Sequence, residues 1–512
     1  MQHMVIPHYD WISNHALRRP DALAAIDLGT EARFSYHEFH QRIDAIASWL
    51  ADEFNIRTGD RVAVLALAAL DVFTIQFACF RLGAIFVPLN VRLAAPELQS
   101  ILTNCTPALL LHDKTFAALA AKLVPEDGTM HSAAIDPDSD FATVAASNRP
   151  LARRAEMALH DVATILYTSG TTGLPKGVMI TYAMNLFNAI NVTGLADISS
   201  RSVHLCVLPL FHTGGLNVYS NPVFHAGGAV AVMPAFEPGE MLRALGDPAL
   251  GVNLLFGVPA HYQFPAQSPD FGATDLSRLA HAGVGGAPAP LAVIEAWQKQ
   301  GVMLTQGYGM TETGPVVLYL DKADAVRKAG SAGKPSLHVD IRLVDSEGHD
   351  VADDAVGEIW LRGPSITPGY WNNPAATAAA FSDDWLRTGD AATRDNEGYF
   401  FIVDRWKDMY ISGGENVYPA EVENVLSRLP GVAEAAVIGV PSARWGEAGR
   451  AIVVLKSDTN LSADAILAFC AEQLARYKLP HDVVFTDALP RNATGKIHKP
   501  TLRQRFGAPA AS

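Results

Sequence analysis

The sequence predicts an α/β protein with a parallel β-sheet, followed by a small β subdomain and a C-terminal α+β domain. Strand, helix and strand signals follow one another near residue 62, an order that favours parallel pairing. After residue 331, strands follow one another with turn residues between them, and after residue 404 helices and strands mix again. With 512 residues, 49% of them hydrophobic, the chain can bury more than one core.

The first part begins with an apolar run at residues 62–65, typical of a buried strand. Phe73, Phe77 and Phe80 recur at helical spacing, and Gly83 is placed to end that helix. Residues 85–87 are predicted to form the next strand, which Pro88 is expected to end. Further apolar segments predict strands at 162–167, 254–256 and 302–304.

The later part changes in pattern. Residues 341–344, 357–361 and 399–403 are predicted strands of a β subdomain. Pro419 suits the first turn of a helix, and Ser462 is predicted to cap another. Strands are expected between these helices, at 435–440 and 451–455. No low-complexity linker is present, so the change of pattern alone places the domain boundary, giving residues 1–404 and 405–512.

Composition excludes several classes of protein. A formal net charge of −14 disfavours nucleic acid and anionic membranes as partners. The four cysteines are too widely spaced for a C-x-x-C site and too few for a disulfide framework. The longest apolar run, 62–70, is far shorter than the ~20 residues of a membrane helix, and the N-terminus lacks signal-peptide features. We expect a soluble cytoplasmic protein without an integral membrane segment.

The most informative motif is residues 167–177, which follow a predicted strand and combine three glycines with a lysine. Glycines allow tight turns that aim backbone N–H groups at an anion, and hydroxyl groups add donors. The order of residues differs from a Walker A loop. The motif predicts a loop that holds phosphates, and a flexible surface loop is the alternative on composition alone.

This loop and five further motifs, in the same order, resemble the adenylate-forming superfamily of acyl- and aryl-CoA synthetases, peptide-synthetase adenylation domains and beetle luciferases. The further motifs are 285–288, 306–313, 388–390, 404–419 and 490–496. The C-terminal stretch is most similar to bacterial long-chain fatty-acyl-CoA synthetases, with aryl-CoA ligases nearby. The resemblance implies a large N-terminal domain of two α/β subdomains plus a small β subdomain, and a small mobile α+β C-terminal domain.

The resemblance also implies a reaction in two steps. ATP and a hydrophobic carboxylic acid give acyl-AMP and pyrophosphate, and the acyl group then passes to coenzyme A, releasing AMP. ATP, Mg²⁺ and CoA are the implied small molecules, and a homodimer is compatible with the family. Because the carboxylate and the α-phosphate repel each other, such a site must supply positive charge and oriented donors.

The resemblance assigns catalytic roles to four residues: Lys496, Thr311, Glu312 and Lys176. Lys496 would bridge the carboxylate and the α-phosphate, to which Thr311 donates. Mg²⁺ is assigned to Glu312 and Thr168. The remaining ATP-binding residues are implied to be Thr168, Ser169, Gly170, Thr171, Thr172, Gly173, Gly286, Ala287, Pro288, Gln306, Gly307, Tyr308, Asp390, Ile402 and Arg405.

The second step requires Lys496 to leave and a thiol to enter. The C-terminal domain is implied to rotate about Lys407, and Gly413, Gly414 and Trp445 would form the CoA tunnel. Without the surrounding motifs, Asp390 would be interpreted as a turn residue, Tyr308 as a core ring and Lys496 as a solvated side chain.

The acyl pocket is predicted to contain His212, Gly214, Gly215, Val258, Gly285, Met310 and Val316. Its segments carry no lysine or arginine, which disfavours a dicarboxylic acid. Gly214 and Gly215 are expected to leave volume for a medium or long acyl chain, or for an aryl-propenoic acid. Tyr182 stands where relatives commonly carry histidine, and we expect it near the phosphate loop.

Three alternative functions stay open at this point. One is a ligase that loads a carrier protein instead of CoA. Another is a luciferase-like oxygenase that acts on an acyl-adenylate. The third is a non-catalytic nucleotide sensor, which the presence of Lys496, Glu312 and Asp390 disfavours.

Overall fold

The computed structural model describes residues 6–168, 175–405, 408–412, 415–442, 445–457, 459–491 and 497–509. The side chains of Arg405, Glu415 and Asn416 lie outside this description. The chain divides into two compact units, Met1–Asp340 with Leu361–Leu386 and Ile341–Trp360 with Arg387–Ser512. The predicted boundary after residue 404 falls inside the second unit, and it stays a prediction.

The observed strands overlap each predicted strand and include further strands that were not predicted. They are β1 (Leu23–Asp27), β2 (Ala32–Ser35), β3 (Arg61–Leu65), β4 (Ile85–Pro88), β5 (Leu109–His112), β6 (His131–Ala134), β7 (Val162–Thr168), β8 (Lys176–Thr181), β9 (Val203–Cys206), β10 (Ala229–Val232), β11 (Leu254–Gly257), β12 (His281–Val284), β13 (Leu304–Gly309), β14 (Val316–Tyr319), β15 (Lys334–Pro335), β16 (Asp340–Val344), β17 (Gly357–Arg362), β18 (Phe381–Ser382), β19 (Trp385–Arg394), β20 (Phe400–Arg405), β21 (Tyr410–Ser412), β22 (Glu415–Val417), β23 (Val432–Ser442), β24 (Gly446–Leu455) and β25 (Pro480–Phe485).

The helices connect these strands. They are α1 (Trp11–Arg18), α2 (Tyr36–Glu53), α3 (Leu70–Leu82), α4 (Ala95–Cys105), α5 (Ala117–Leu123), α6 (Asp140–Ala145), α7 (Tyr182–Leu195), α8 (Ser220–Ala226), α9 (Pro238–Gly246), α10 (Pro259–Gln267), α11 (Leu291–Lys299), α12 (Pro374–Ala380), α13 (Pro419–Leu426), α14 (Ala463–Ala471) and α15 (Lys499–Phe506). Short 3₁₀ turns occupy Lys114–Phe116, Phe271–Ala273, Thr311–Thr313 and Arg476–Lys478, and Gly214–Val218 is a π-helical turn.

A six-stranded sheet in the first unit has the order β6-β5-β3-β4-β7-β8. Its β3 and β4 pair in parallel, with Val62 opposite Phe86, and α3 connects them. Gly83 ends α3 in the left-handed conformation at φ 68°, which glycine adopts without steric cost. The predicted strand, helix and strand are therefore confirmed.

A nine-stranded sheet in the same unit has the order β15-β14-β13-β12-β11-β9-β10-β1-β2. Neighbours from β13 to β1 pair in parallel, so their carboxyl ends meet along one edge. Buried aromatic side chains pack in the core of this unit, with Phe224 against Phe39, Phe73 and Phe77. Burial of these rings and of the apolar strands drives the folding of this unit.

The strands of the second unit belong to two smaller sheets. Strand β17 lies between β16 and β19, and β20 pairs antiparallel with β19. Strands β21 to β25 form another sheet, in the order β22-β21-β24-β23 with β25 beside β24. Pro419 begins α13, and Ser462 caps α14 by accepting a hydrogen bond from Ala465 N at 3.2 Å, as predicted. Among the described helices, none is both long and apolar enough to cross a membrane.

A buried ion cluster connects the first three helices. The Arg81 side chain on α3, 2% exposed, lies 2.7 Å from Asp10 Oδ2 and 2.8 Å from Asp44 Oδ1. Asp10 also caps α1 by accepting from Ser13 N. Burial acts to raise the pKa of Asp10, but the charge and hydrogen bond of Arg81, together with Ser13 and Arg154, hold that pKa below its usual value. Arg81 therefore keeps a buried carboxylate ionised.

Arg81→Met should destabilise the protein by about 3–5 kcal/mol at neutral pH, because it leaves a buried carboxylate without its main partner. In the wild type the lowered pKa of Asp10 contributes stability above the unfolded-state pKa of about 4, and this is lost as pH falls through the folded pKa. In the variant, burial dominates and should raise the pKa of Asp10. The difference in the free energy of unfolding between variant and wild type should therefore shrink as pH falls.

Urea unfolding between pH 3 and 7 measures the free energy of unfolding of both proteins. Arg149→Met is the matched control, since Arg149 pairs with the exposed Asp52, and its loss should cost no more than about 1 kcal/mol. An Arg81→Met penalty that does not change with pH would contradict the role given to Asp10.

Candidate active site

The carboxyl ends of β11, β12 and β13 bring three predicted segments together. Phe256 lies opposite Gly283, and Val284 lies opposite Gln306. Beyond the strands, Gly285 N donates to Gly257 O at 3.2 Å. Segments 257–258, 285–288 and 306–310 are therefore neighbours at the edge where ligands bind in open α/β sheets.

The 285–288 loop has a backbone that requires glycine. Gly286 has φ +77°, and a Cβ there would lie 3.3 Å from Val258 Cγ1. A predicted nucleotide residue thus adjoins a predicted acyl-pocket residue. Ala287 and Pro288 are exposed beside it, and Gly285 is buried.

Gln306 holds this loop in place. Its Oε1 accepts from Ala289 N at 3.1 Å, and its Nε2 donates to Ser331 O at 3.2 Å. The side chain predicted to bind ATP therefore has protein partners at both ends. Gly307 and Tyr308 follow on β13 and are half-buried, with Tyr308 opposite Leu318 of β14. Adenine stacking on Tyr308 stays a prediction.

Hydrogen bonds of Thr313 hold the turn at Thr311–Thr313. Thr313 Oγ1 donates to Pro315 O at 2.6 Å, and Met310 N donates back to Thr313 Oγ1 at 3.0 Å. A Cβ at Gly309 would overlap the Pro315 carbonyl, so only glycine fits there. The turn leaves Thr311 half-buried and buries Glu312.

Segment 367–371 joins this turn to β8. Met179 N donates to Gly369 O at 3.1 Å, Trp371 N donates to Gly177 O at 2.7 Å, and Thr367 N donates to Glu312 O at 2.8 Å. These hydrogen bonds place Tyr370 between the turn and the strand that begins at Lys176.

Tyr370 contacts two predicted catalytic residues. Its hydroxyl donates to Glu312 Oε1 at 3.0 Å, and Lys176 Nζ lies 5.1 Å from the centre of its ring. Sequence reasoning missed Tyr370. The available signal was Gly369-Tyr370-Trp371, two adjacent aromatic residues in a turn-rich stretch.

The predicted phosphate loop connects two antiparallel strands. Thr168 at the end of β7 lies opposite Lys176 at the start of β8, and its Oγ1 donates to Lys176 O at 3.5 Å. The predicted phosphate contacts Ser169, Gly170, Thr171, Thr172 and Gly173 lie outside the described residues.

Tyr182 does not lie near the phosphate loop, where it was expected. It lies beyond Thr181, which pairs with Val162 at the opposite end of the hairpin from the loop. At ~3.4 Å per residue, that is roughly 20 Å along the strand. Tyr182 stacks on His8 with ring centres 4.1 Å apart and is buried. Its place is the core and not the phosphate loop.

Gly214 and Gly215 lie in the π-helical turn that follows His212. The His212 carbonyl accepts from Gly215 N at 3.1 Å and from Leu216 N at 3.2 Å. A Cβ on Gly215 would overlap Pro209 O and lie 2.8 Å from Leu208 O. Close backbone packing therefore explains glycine at 215, and the predicted reason, open pocket volume, is wrong for this residue.

Asn188 on α7 connects the predicted pocket residue Val316 with the π-helical turn that contains Gly214 and Gly215. Its Oδ1 accepts from Val316 N at 3.2 Å, and its Nδ2 donates to Asn217 O at 2.6 Å. The side chain is buried, as is Val316, while Met310 is half-buried. Sequence reasoning missed Asn188, and a polar residue on a mostly apolar helix was the available signal.

In the second unit, Glu358 shapes the 388–390 motif. Gly389, at φ +70°, donates its N–H to Glu358 Oε1 at 3.0 Å. Thr388 Oγ1 donates to Ile359 O at 2.8 Å and accepts from Asp390 N at 3.1 Å. Asp390 is buried and lies opposite Arg405. Glu358 was also missed, although it is the one acidic residue in an apolar strand.

Several predicted residues of the second unit cannot be assigned contacts. Lys407, Gly413, Gly414 and Lys496, and the side chain of Arg405, lie outside the described residues. Ile402 is half-buried on β20, opposite Ala392. Trp445 is 41% exposed, and its backbone N–H donates to Ser442 Oγ at 3.3 Å.

The donors of the first unit fit Mg²⁺ that arrives with a nucleotide. Within the described residues, no group of three or more His, Cys, Asp or Glu side chains could hold a metal ion. Mg²⁺ commonly takes one or two carboxylates and completes its shell with water and phosphate oxygens. The Glu312 carboxylate and the Thr168 hydroxyl are oxygen donors of this type.

Comparison with known proteins assigns the family. A family model described as AMP-binding enzyme matches residues 12–371, and one described as AMP-binding enzyme C-terminal domain matches residues 421–496. The chain belongs to the AMP-binding enzyme family. This AMP-binding enzyme is 42% identical over 502 residues to a feruloyl-CoA synthase of an Amycolatopsis species, covering 97% of this chain and 98% of that protein.

Two further similarities extend over nearly the whole AMP-binding enzyme. A long-chain-fatty-acid–CoA ligase of Mycobacterium tuberculosis is 36% identical over 499 residues, 96% of each chain. The solved structure of o-succinylbenzoate CoA synthetase from Bacillus subtilis, with its acyl-adenylate intermediate, matches with a TM-score of 0.86 and 30% identity, covering 98% of this chain and 99% of that chain. The predicted superfamily, fold and acyl-CoA synthetase class are confirmed.

Gly215→Ala should cost about 1–3 kcal/mol, because the new methyl group meets backbone carbonyls that cannot move independently. Gly214→Ala is the matched variant. A Cβ there meets only Leu208 Cδ1, at 3.1 Å, the flexible end of a side chain, so the cost should stay below about 1 kcal/mol. Urea unfolding of both variants measures the difference, and equal costs would contradict the packing explanation.

Proposed function

We propose that this enzyme is an AMP-forming ligase that joins a hydrophobic monocarboxylic acid to CoA, with an aryl-propenoic acid of the ferulate type as its preferred substrate. The observation that carries the proposal is the Lys176–Tyr370–Glu312 arrangement, which fixes a cation and a carboxylate in the unit whose sheet edge carries the predicted nucleotide segments. The 42% identity to a feruloyl-CoA synthase supports the aryl substrate.

In the first step a carboxylate oxygen of the acid attacks the α-phosphorus of ATP, and the bond to pyrophosphate breaks. Lys176 supplies positive charge to the departing phosphates, and the Thr311 hydroxyl donates to the α-phosphate. Lys496 offsets the charge shared by the carboxylate and the phosphate. Mg²⁺, held by Glu312 and Thr168, would supply charge neutralisation on the nucleotide.

In the second step the sulfur of CoA attacks the acyl carbonyl carbon, and the bond from that carbon to AMP breaks. The thiol proton passes to solvent, and AMP is a good leaving group, so little base catalysis is required. Rotation about Lys407 would withdraw Lys496 and bring Gly413, Gly414 and Trp445 to the thiol path. His212 then serves as a wall of the acyl pocket.

Buried aromatic rings lie beside the predicted pocket residue Gly285. Phe256 and Tyr219 pack edge to face with ring centres 5.2 Å apart. Phe256 Cζ lies 3.1 Å from the position of a Cβ on Gly285, so the edge of an aromatic ring adjoins this glycine, together with Gly307 O at the same distance. Aromatic side chains favour aromatic ligands through edge-to-face and offset contacts. A medium- or long-chain fatty acid is the second candidate, supported by the 36% identity to a long-chain ligase.

An acid panel tests the substrate. Values of kcat/KM from pyrophosphate release should be highest for ferulate and cinnamate. In the aliphatic series each buried methylene should add up to ~0.8 kcal/mol, about fourfold. A peak at acetate or malonate would contradict the pocket assignment. Free CoA compared with a phosphopantetheinylated carrier, and oxygen uptake during turnover, test the carrier-loading and oxygenase alternatives.

Lys496→Ala should reduce acyl-AMP formation by several orders of magnitude and should change conversion of supplied acyl-AMP and CoA by less than about threefold. The lysine acts only while negative charge gathers at the α-phosphate. Separate assays of the two half-reactions measure this, with Lys114→Ala as a control at an exposed lysine. Equal loss in both half-reactions would remove Lys496 from its assigned role.

Gly414→Leu should slow thioester formation by at least about tenfold, since a branched side chain would obstruct the thiol path. Pyrophosphate exchange, which needs no thiol, should persist. Lys407→Pro should give the same pattern by restricting rotation of the backbone. Normal thioester turnover by Gly414→Leu would refute the tunnel.

A further inference from the structure

We propose that Tyr370 is a positioning residue, which sets the Glu312 carboxylate through its hydroxyl and the Lys176 ammonium through its ring before the nucleotide binds. This inference rests on the proposed function for the identity of the nucleotide. It adds a residue that none of the six sequence motifs contains.

The hydroxyl contact fixes the orientation of a carboxylate. Tyr370 donates to Glu312 Oε1 at 3.0 Å, and Glu312 is 6% exposed. A buried carboxylate is costly without hydrogen bonds. Carboxylates that bind metal ions are commonly oriented by a hydrogen bond from a neighbouring residue, whose loss typically costs 10–100-fold in metal affinity. The Tyr370 hydroxyl is placed to orient the Glu312 carboxylate in this way for Mg²⁺ that binds with ATP.

The ring contact restricts a flexible cation. Lys176 Nζ lies 5.1 Å from the centre of the Tyr370 ring, within the range of a cation–π interaction worth roughly 0.5–1 kcal/mol at a partly exposed site. Lys176 is half-buried and has four rotatable bonds in its side chain. An interaction of this size favours the rotamers that keep the ammonium near the ring.

The backbone around Tyr370 is held on two sides. Val178 pairs with Tyr370 in an isolated bridge, and Tyr370 N donates to Thr377 Oγ1 at 2.9 Å. Thr367 Oγ1 donates to Met179 O at 2.7 Å, while Thr367 N donates to Glu312 O. The backbone of Tyr370 is therefore held against β8. Its hydroxyl and its ring have fixed positions from which to orient Glu312 and Lys176.

Two substitutions separate the contacts. Tyr370→Phe removes the hydroxyl and keeps the ring, and Tyr370→Leu removes both. Tyr36→Phe is the matched control, because the buried Tyr36 hydroxyl donates to Gly228 O at 2.7 Å. That variant loses a comparable hydrogen bond in the core.

Calorimetric binding of ATP, with no acid and no CoA present, is measured in Mg²⁺ and in excess chelator. Tyr370→Phe should weaken Mg²⁺–ATP binding by about tenfold or more and change metal-free ATP binding by less than twofold. Tyr370→Leu should also weaken metal-free ATP binding, by about two- to fivefold. Tyr36→Phe should lower the thermal midpoint and bind Mg²⁺–ATP normally.

A double-mutant cycle with Glu312→Gln gives a second, independent measurement. Once the carboxylate is absent, Tyr370→Phe should have almost no further effect on Mg²⁺–ATP affinity. Additive losses would overturn the proposal, as would wild-type Mg²⁺–ATP affinity in Tyr370→Phe, or equal loss with and without Mg²⁺. A wild type that binds Mg²⁺–ATP but forms no thioester would refute the proposed function alone.

Discussion

Parallel pairing of β11, β12 and β13 is the constraint on which the candidate site depends. Within the strands the backbone N–H and C=O groups pair with one another, and the chain can turn towards a ligand only where the strands end. The register places Gly257, Gly285 and Gly307 at neighbouring points of that edge. A Cβ at each of these positions would lie 2.8–3.3 Å from a neighbouring protein atom, so the absence of side chains lets the strand ends pack closely at this edge.

The loops at this edge are held by hydrogen bonds from buried polar side chains. Gln306 holds the loop that carries Ala287 and Pro288, and Asn188 joins the segments around Val316 and Asn217. In the second unit, Glu358 does the same for Gly389. Each makes hydrogen bonds to backbone groups of its loop, and because an unpaired buried polar group is costly, these hydrogen bonds favour one conformation of the loop.

Opposite charges are arranged in two different ways in the first unit. Arg81 is surrounded by Asp10 and Asp44 in direct ion pairs, so this cluster serves stability. At the candidate site, Lys176 contacts the face of Tyr370, and Glu312 contacts its hydroxyl. The side chain that contacts both groups is itself uncharged. In the proposed function these two groups would act on an anionic nucleotide and its metal ion, as expected of a preorganised site.

The sequence by itself determined the elements and the order of the motifs. The helix that Gly83 ends, the Ser462 cap and the strand before the phosphate loop depend on interactions within a few residues, which the local sequence contains. Tertiary structure alone decided why Gly215 is glycine and which residue lies between Lys176 and Glu312. Those answers depend on pairing between segments far apart in the chain, such as Gly177 with Trp371, and no local pattern specifies that register.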